Sequence, residues 1–419
     1  MIQLFHRFLS YTLRFSRLIF KCQFLVMKNS FYLFSVLVAL YFACSEKESN
    51  SEMIDPIQEL DFEVVDSLMV DILQDLIVLD YHSKKDQYLM KERRGNGIYL
   101  IDGAGVILSQ PELVGEGPNQ VSVIWEGRFF GAEHYIFKEM SATMDFHVYD
   151  SDFQKVEKIP GAAIGLNAIF LSFYRQTFTV WEENGKPYLI GEEVNSYNPT
   201  DVDSDKIDED FYNQVKSGFF YDLNADSISY LNLYPNAWEP KKSKRWVGQS
   251  FPYLAFNAQL QRAAVIPPLG DQLFLYDLED GQLINEQVVE LSHPDRNQSI
   301  PDTSRENLLY PSFSDVKNFG EYQLAIFYTV IPEEVYSEFR AKNENYTQDP
   351  EWRKVIAQYR KPRFIVIKDG QQIGILNELP VAGNVNLGLA DGSLLIKAAE
   401  GEVERDHNLF YRMRLKTTQ

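Results

Sequence analysis

The chain has 419 residues, with 40 Lys and Arg against 60 Asp and Glu, a formal net charge of −20. A surface of that sign repels nucleic acid and anionic lipid head groups, so neither is expected as a partner. Two cysteines exclude a disulfide scaffold or a Cys-based metal site, and a 45% apolar composition leaves stability to one large core.

In chain order, the first element is the run Phe31–Ala43, apolar apart from Ser35 and preceded by Lys28. Thirteen residues fall short of the roughly 20 that a membrane-spanning helix needs. They match the h-region of a secretory signal with Lys28 in its basic n-region. The run stops at Ala43-Cys44 and turns at once into Ser45-Glu46-Lys47-Glu48. An aliphatic residue, a spacer, a small residue and a cysteine resemble the lipobox of bacterial lipoproteins, whose cysteine is acylated and begins the mature chain. Tyr41 and Phe42 stand where that motif usually has a leucine and a small residue.

Residues 1–43 are therefore read as a signal peptide. Either Met27 is the true start and 1–26 lie upstream of it, or Arg7, Arg14, Arg17 and Lys21 form a long n-region. Removing 1–43 takes away five bases and no acid, which leaves 35 bases against 60 acids, a net of −25. Cys44 is the expected lipid attachment point, so the membrane is a partner through that lipid. Residues 44–58 read as a lipidated tether reaching about 20 Å by random-coil scaling.

From Glu59 onward the chain becomes short β-rich runs bounded by Gly, Asp, Asn and Pro. One element recurs: an aromatic and aliphatic strand that ends on an Asp turn. It reads IYLIDG at 98–103, FHVYDS at 146–151, FFYDLN at 219–224, LFLYDLEDG at 273–281 and FIVIKDG at 364–370. A sixth copy, LFYRMRL at 409–415, lacks the turn. Each of the first five is followed by a second run, such as GQLINEQVVEL, across a hairpin signal in which both turn residues tolerate positive φ. Each is also preceded by one or two further strands, giving units of four antiparallel strands, A to D.

Six such units over 59–419 predict an all-β, six-bladed β-propeller, each blade covering its neighbour's apolar face. A pair of β-sandwich domains would account for the strand count but not for the repeated C–D hairpin. The sixth unit has no strand D of its own, and FEVVDSLMVDI at 62–72 is the expected donor that closes the ring.

The Asp positions 102, 150, 222, 277 and 369 are spaced by 48, 72, 55 and 92, so two units are swollen. The first insertion, 196–216, contains Asp201, Asp203, Asp205, Asp208 and Asp210. The carboxylate spacing evokes a calcium loop, but Lys206 and Tyr212 stand where an EF-hand needs Gly and Glu. A solvated acidic loop is the better reading, and no metal is assigned. The second insertion, 332–362, reads as a small helical insertion in blade 5, with Pro332 and Pro350 in first turns and Asp349 as N-cap.

Both insertions fall between strands B and C, and the blade-to-blade connections on that same face are long. This one-sided elaboration makes that face the candidate binding surface. Its candidate residues are Trp238, Arg245 and Trp246 in a basic island with Lys241, Lys242 and Lys244. Arg296 in the 292–307 connection and Trp352 and Arg353 on the second helix complete the set. Trp offers a stacking face and Arg a planar fork for an anion or sugar. The opposing reading is that these side chains dock the loops. Histidines 82, 134, 147, 293 and 407 form no metal-ligand spacing, and neither a nucleophile elbow nor a phosphate loop is present. No cofactor is expected.

The Cys44 region, the six repeats and Gly115-Glu116-Gly117-Pro118 after the first blade resemble a group of Bacteroidota lipoproteins. These carry a six-bladed TolB-like propeller and a Gly-x-Gly-Pro signature, and several are domains of unknown function. The usual Gly-Glu after the proline is Asn119-Gln120 here. The resemblance implies a fold and an address in the outer membrane, with Glu46 and Glu48 similar to the export tag of surface-exposed members. It implies no reaction. The expected function is a non-enzymatic binding module for a protein or glycan; the alternative is a glycan hydrolase or lyase working in the axial pocket.

Overall fold

The computed structural model describes residues 58–164, 173–197, 207–296, 298–301, 308–342, 345–400 and 405–416. The signal peptide, Cys44, the tether up to residue 57 and Asp201, Asp203 and Asp205 lie outside these residues. Among the described residues no helix is long and apolar enough to cross a membrane.

Strand β1 (Phe62–Val70) comes first in the chain and last in the ring. Blade 1 is β2 (Leu76–His82), β3 (Gln87–Glu92), β4 (Ile98–Asp102) and β5 (Ile107–Ser109). Blade 2 is β6 (Ile124–Phe130), β7 (His134–Glu139), β8 (Phe146–Tyr149) and β9 (Lys155–Ile159). Blade 3 is β10 (Phe178–Glu183), β11 (Lys186–Glu192), β12 (Gly218–Asp222) and β13 (Ser227–Leu231). Blade 4 is β14 (Tyr253–Asn257), β15 (Arg262–Ile266), β16 (Gln272–Glu279) and β17 (Gln282–Glu290). Blade 5 is β18 (Phe313–Phe319), β19 (Tyr322–Tyr328), β20 (Pro362–Lys368) and β21 (Gln371–Leu376). Blade 6 is β22 (Gly383–Gly388), β23 (Ser393–Ala398), β24 (Asn408–Leu415) and, as its outer strand, β1. Six four-stranded antiparallel sheets make this a six-bladed propeller.

Burial explains the sequence texture. Middle strands are covered on both faces by the neighbouring blades, so several read as continuous apolar runs rather than alternating ones. Ile98–Ile101 of β4, Phe364–Ile367 of β20 and all of Ser393–Ala398 in β23 are buried. Outer strands face water and alternate. In β1 only Phe62, Leu68 and Val70 are buried. Each pair of neighbouring blades encloses its own apolar cluster, as with Ile136, Phe146, Phe178 and Phe219 between blades 2 and 3.

The ring closes through β1, which pairs antiparallel with β24 from Phe62↔Leu415 to Val70↔Asn408 across one bulge between Val64 and Asp66. Its buried side chains serve two interfaces. Phe62 packs with Phe319 and Leu324 of blade 5, whereas Leu68 and Val70 pack with Leu76 and Val78 of blade 1. At about 1.5–3 kcal/mol per buried apolar side chain, one strand contributes several kcal/mol to closure.

The Asp turns differ from the sequence reading in detail. Asp280-Gly281 and Asp369-Gly370 are two-residue hairpins with all four φ positive, from 47° to 75°. Asp102, Asp150 and Asp222 work through their side chains instead. Asp150 Oδ1 accepts the Asp152 and Gln154 N–H groups at 3.0 and 2.8 Å, closing the turn by local hydrogen bonds. Asp277 is not a turn residue. It pairs with Ile284 inside the β16–β17 ladder, because the strand runs on to Glu279 before Asp280-Gly281 reverses it.

Candidate functional site

In a radial antiparallel meander the B–C and D–A connections emerge on one face. There the β11–β12 connection carries α1 (Ile207–Gln214) and the β13–β14 connection carries α2 (Glu239–Ser243). Asp208 and Asp210 fall within α1. Phe211 and Tyr212 of α1 are buried against Tyr234, Trp238 and Trp246. Tyr212 meets Trp238 edge-on at 5.0 Å and stacks on Trp246 at 5.5 Å. Such pairs add about 0.5–1.5 kcal/mol each beyond their area. The Tyr212 hydroxyl accepts the Val247 N–H at 2.9 Å and donates to the Gly248 carbonyl at 2.6 Å. The result is a rigid ledge joining blades 3 and 4.

A second ledge rises between β19 and β20, where α3 (Glu333–Lys342) and α4 (Pro350–Tyr359) flank a short 3-10 turn at Tyr346–Gln348. Asp349 Oδ1 accepts the Glu351 N–H at 2.9 Å, capping α4. Tyr336, Phe339 and Tyr346 surround Trp352, and Leu308, Leu309 and Ile331 join the same cluster.

The candidate residues divide accordingly. Trp238 is 1% exposed and donates its indole N–H to the Leu269 carbonyl at 2.8 Å, so it offers no open stacking face. Trp246 is half-buried on Tyr212. Arg245 donates to Glu239 at 2.7 Å and to the Ile300 carbonyl at 3.3 Å. Lys241 donates to the Tyr234 carbonyl at 2.7 Å, and burial lowers its ammonium to about 8. Arg296 is a buried strut: its guanidinium lies 3.7 Å from the Phe313 ring centroid and donates to the Gly270 and Pro311 carbonyls. The structure thus gathers Trp238, Arg245 and Trp246, with Arg296 reaching the same corner through Gly270. Trp352, buried, and Arg353, exposed, belong to the separate second ledge.

Gly115-Glu116-Gly117-Pro118 forms a turn pinned by Gln120, whose side-chain oxygen accepts the Gly117 N–H at 2.7 Å. His147 is buried with Nε2 3.0 Å from Glu139. Among the described residues no group of three or more His, Cys, Asp or Glu is placed to hold a metal.

The axis holds charges that the motif search passed over. Glu126 and Arg128 on β6 pair at 2.7 Å, and Asp315 and Lys317 on β18 pair at 2.8 Å. Arg128 also donates to the Phe178, Leu79 and Gly127 carbonyls at 3.1, 2.9 and 2.7 Å, so its fork stitches together the inner edges of three blades. Glu126 in turn accepts the Thr177 N–H at 2.9 Å. Arg175 pairs with Glu192, whose carboxyl is pushed up to about 7 by burial against the pull of that arginine. Lys317 donates to the Tyr174 carbonyl at 2.7 Å, holding Phe173–Gln176 across the channel mouth on the elaborated face. What remains there is a cavity of about 10 Å³, room for one water molecule at most. The signal for this girdle was present as charged residues two apart in apolar inner strands, IWEGRFF and FSDVKNF, where side chains of one parity face the axis. At the other end, the channel opens into a cavity of about 300 Å³.

No protein-family model matches the chain, and no curated protein matches it. Its fold is similar to that of a DUF4221 family member from Bacteroides vulgatus, with a TM-score of 0.61 at 11% identity, covering 86% of this chain and 100% of that one. The Bacteroides fragilis protein BF0058 aligns with a TM-score of 0.46 at 10% identity, over 86% of this chain and 95% of that one. XC5397 from Xanthomonas campestris, a gluconolactonase, aligns with a TM-score of 0.40 at 11% identity, over 86% and 97%. At such identities the likeness of the first is one of fold.

Proposed function

We propose that the chain is a membrane-tethered binding module that takes up a protein or glycan ligand on the face built by its B–C and D–A connections. The lipid is placed on Cys44, the address is the outer membrane with the propeller displayed at the surface, and the helical insertion of blade 5 forms one wall of the binding face. The observation that carries this reading is the closed axis. On the elaborated face the channel leaves about 10 Å³, and the charges around it are spent on each other and on strand edges. Among the described residues no space for a substrate is left at that mouth. Two ledges held by aromatic clusters instead supply a preorganised surface, which lowers the ordering cost of association.

Two measurements test the reading. Protease shaving of intact cells is expected to remove the protein; complete protection would contradict surface display. Calorimetric titration of the purified protein with envelope glycans and candidate protein partners is expected to give binding that Arg353→Glu weakens without changing the unfolding midpoint, because Arg353 is exposed on α4. Turnover of any of these ligands would support an enzyme instead.

A further inference from the structure

The face opposite the ledges carries a second feature. The A–B hairpin of blade 5 is minimal, with Phe319 pairing directly with Tyr322, and a Cβ on Gly320 would stand 2.8 Å from the Gly392 Cα in the blade 6 turn. Backbone therefore touches backbone. The Gly320 N–H donates to the Leu389 carbonyl at 2.9 Å and its carbonyl accepts from Asn257 at 2.9 Å, clamping the hairpin between blades 4 and 6. A hairpin this short leaves space beyond it. A cavity of about 730 Å³ lies there between blades 5 and 6. It shares Gln259, Gly320 and Ala390 with the axial cavity of about 300 Å³, so the two form one bent groove from the axis to the rim.

The charges lining it balance, Glu321 and Asp391 against Arg414 and Lys416. Asp391 is shared by two guanidinium groups: Arg412 donates to it at 2.6 Å and Arg414 bonds the same oxygen. Burial raises the Asp391 carboxyl, but Ser393 and the two arginines outweigh this and hold it at about 2. Lys416 is paired with Asp61 and Lys368 with Glu321. The triplet of Asp391, Arg412 and Arg414 leaves one positive charge over. It belongs to Arg414, whose side chain is 48% exposed in the cavity wall and bonds no other acceptor among the described residues. Leu60 and the Tyr322 ring form an apolar side, and Gln58 and Gln259 supply amides. In the axial arm, the side-chain oxygen of Asn318 is buried without a partner.

From this juxtaposition we infer that the groove binds a small polyhydroxy carboxylate of sugar-acid size. The carboxylate takes the free fork of Arg414, whose planar donors match it in two parallel hydrogen bonds. The hydroxyls take the amides, and the carbon skeleton lies on Leu60 and Tyr322. The volume falls in the range of small-molecule sites, about 300–1,000 Å³. The site is independent of the ledge face, so either can fail alone.

Calorimetric titration of the purified protein with glucuronate and with glucose tests the assignment. Glucuronate is expected to bind at least tenfold more tightly than glucose. Arg414→Gln is expected to abolish that preference, and Arg414→Lys to keep part of it, with the unfolding midpoint monitored for both. Gln259→Trp, which narrows the groove without touching the Asp391 pairing, is expected to weaken glucuronate tenfold or more. Equal binding of the two probes, no binding of glucuronate, or unchanged affinity in Arg414→Gln and Gln259→Trp would overturn the inference.

Discussion

Arg128 concentrates the chemistry of the axis in one side chain. It is 4% exposed, and its donors satisfy Glu126 and three backbone carbonyls. Removing it strands a buried carboxylate and three acceptors, so Arg128→Met is expected to cost about 3–5 kcal/mol in urea unfolding. Adding Glu126→Gln should recover part of that loss, since the stranded charge goes. A purely additive double mutant would show the pair to be uncoupled. His293 is the second informative residue. Its ring sits edge-on to Phe327 at 4.9 Å, Nδ1 accepts the Asp295 N–H at 3.0 Å, and burial pushes its imidazolium down to about 4, with Arg363 and Arg296 working the same way and Asp295 against them. The unfolded chain, with a histidine near 6.5, binds the proton more readily than the fold. The stabilising effect of neutral His293 is therefore complete above about pH 6.5 and lost as pH falls toward 4. His293→Asn keeps an acceptor for Asp295 and does not titrate. Its chemical-denaturation midpoint should fall less than that of the wild type between those pH values; parallel profiles would count against the assignment.

At the scale of elements, two segments decide how the ring and its loops hold. Strand β1 closes the ring through three buried side chains, so Leu68→Ala is expected to cost about 2–5 kcal/mol. Because β24 loses its outer partner when β1 frays, its amides should exchange faster in that variant while those of β11 and β12 stay protected. Uniform acceleration around the ring would indicate global unfolding instead. The first ledge makes a different demand on Trp238. With its indole buried and bonded to Leu269, Trp238→Ala is expected to destabilise by about 3–5 kcal/mol. The half-buried Trp246 should cost clearly less. A Trp238→Ala protein of unchanged stability would mean that α1 and α2 do not depend on that contact.

At the largest scale the described residues form six blades whose faces are complementary in pairs, with one apolar cluster per interface. That arrangement was legible in the chain because it is repetitive. Strand C carries a buried run in blades 1, 2, 4 and 5, and the turn after it recurs with Asp at its start. Closure was legible too: a sixth LFYRMRL without a following strand needs a partner, and FEVVDSLMV is the β-rich run left over. The turn at Asp277 was misplaced because YDLEDG contains two aspartates, either of which suits a turn, and only the ladder register selects Asp280.

The sequence by itself thus determined the repeat and its number, which follow from burial and turn chemistry within each unit, and the strand that closes the ring, which follows from the count of strands. Tertiary structure decided the rest. A tryptophan that docks a helix and one that meets a ligand have the same composition and spacing, and only the packing of Trp238 on Tyr212 and Tyr234 separates them. The closed axis needs Tyr174 beside Lys317, and the groove needs Gln58, Glu321 and Arg414 around one cavity. Those residues lie more than a hundred apart in the chain, except for the last pair at ninety-three. No local pattern records such neighbours; the curvature of the ring brings them together.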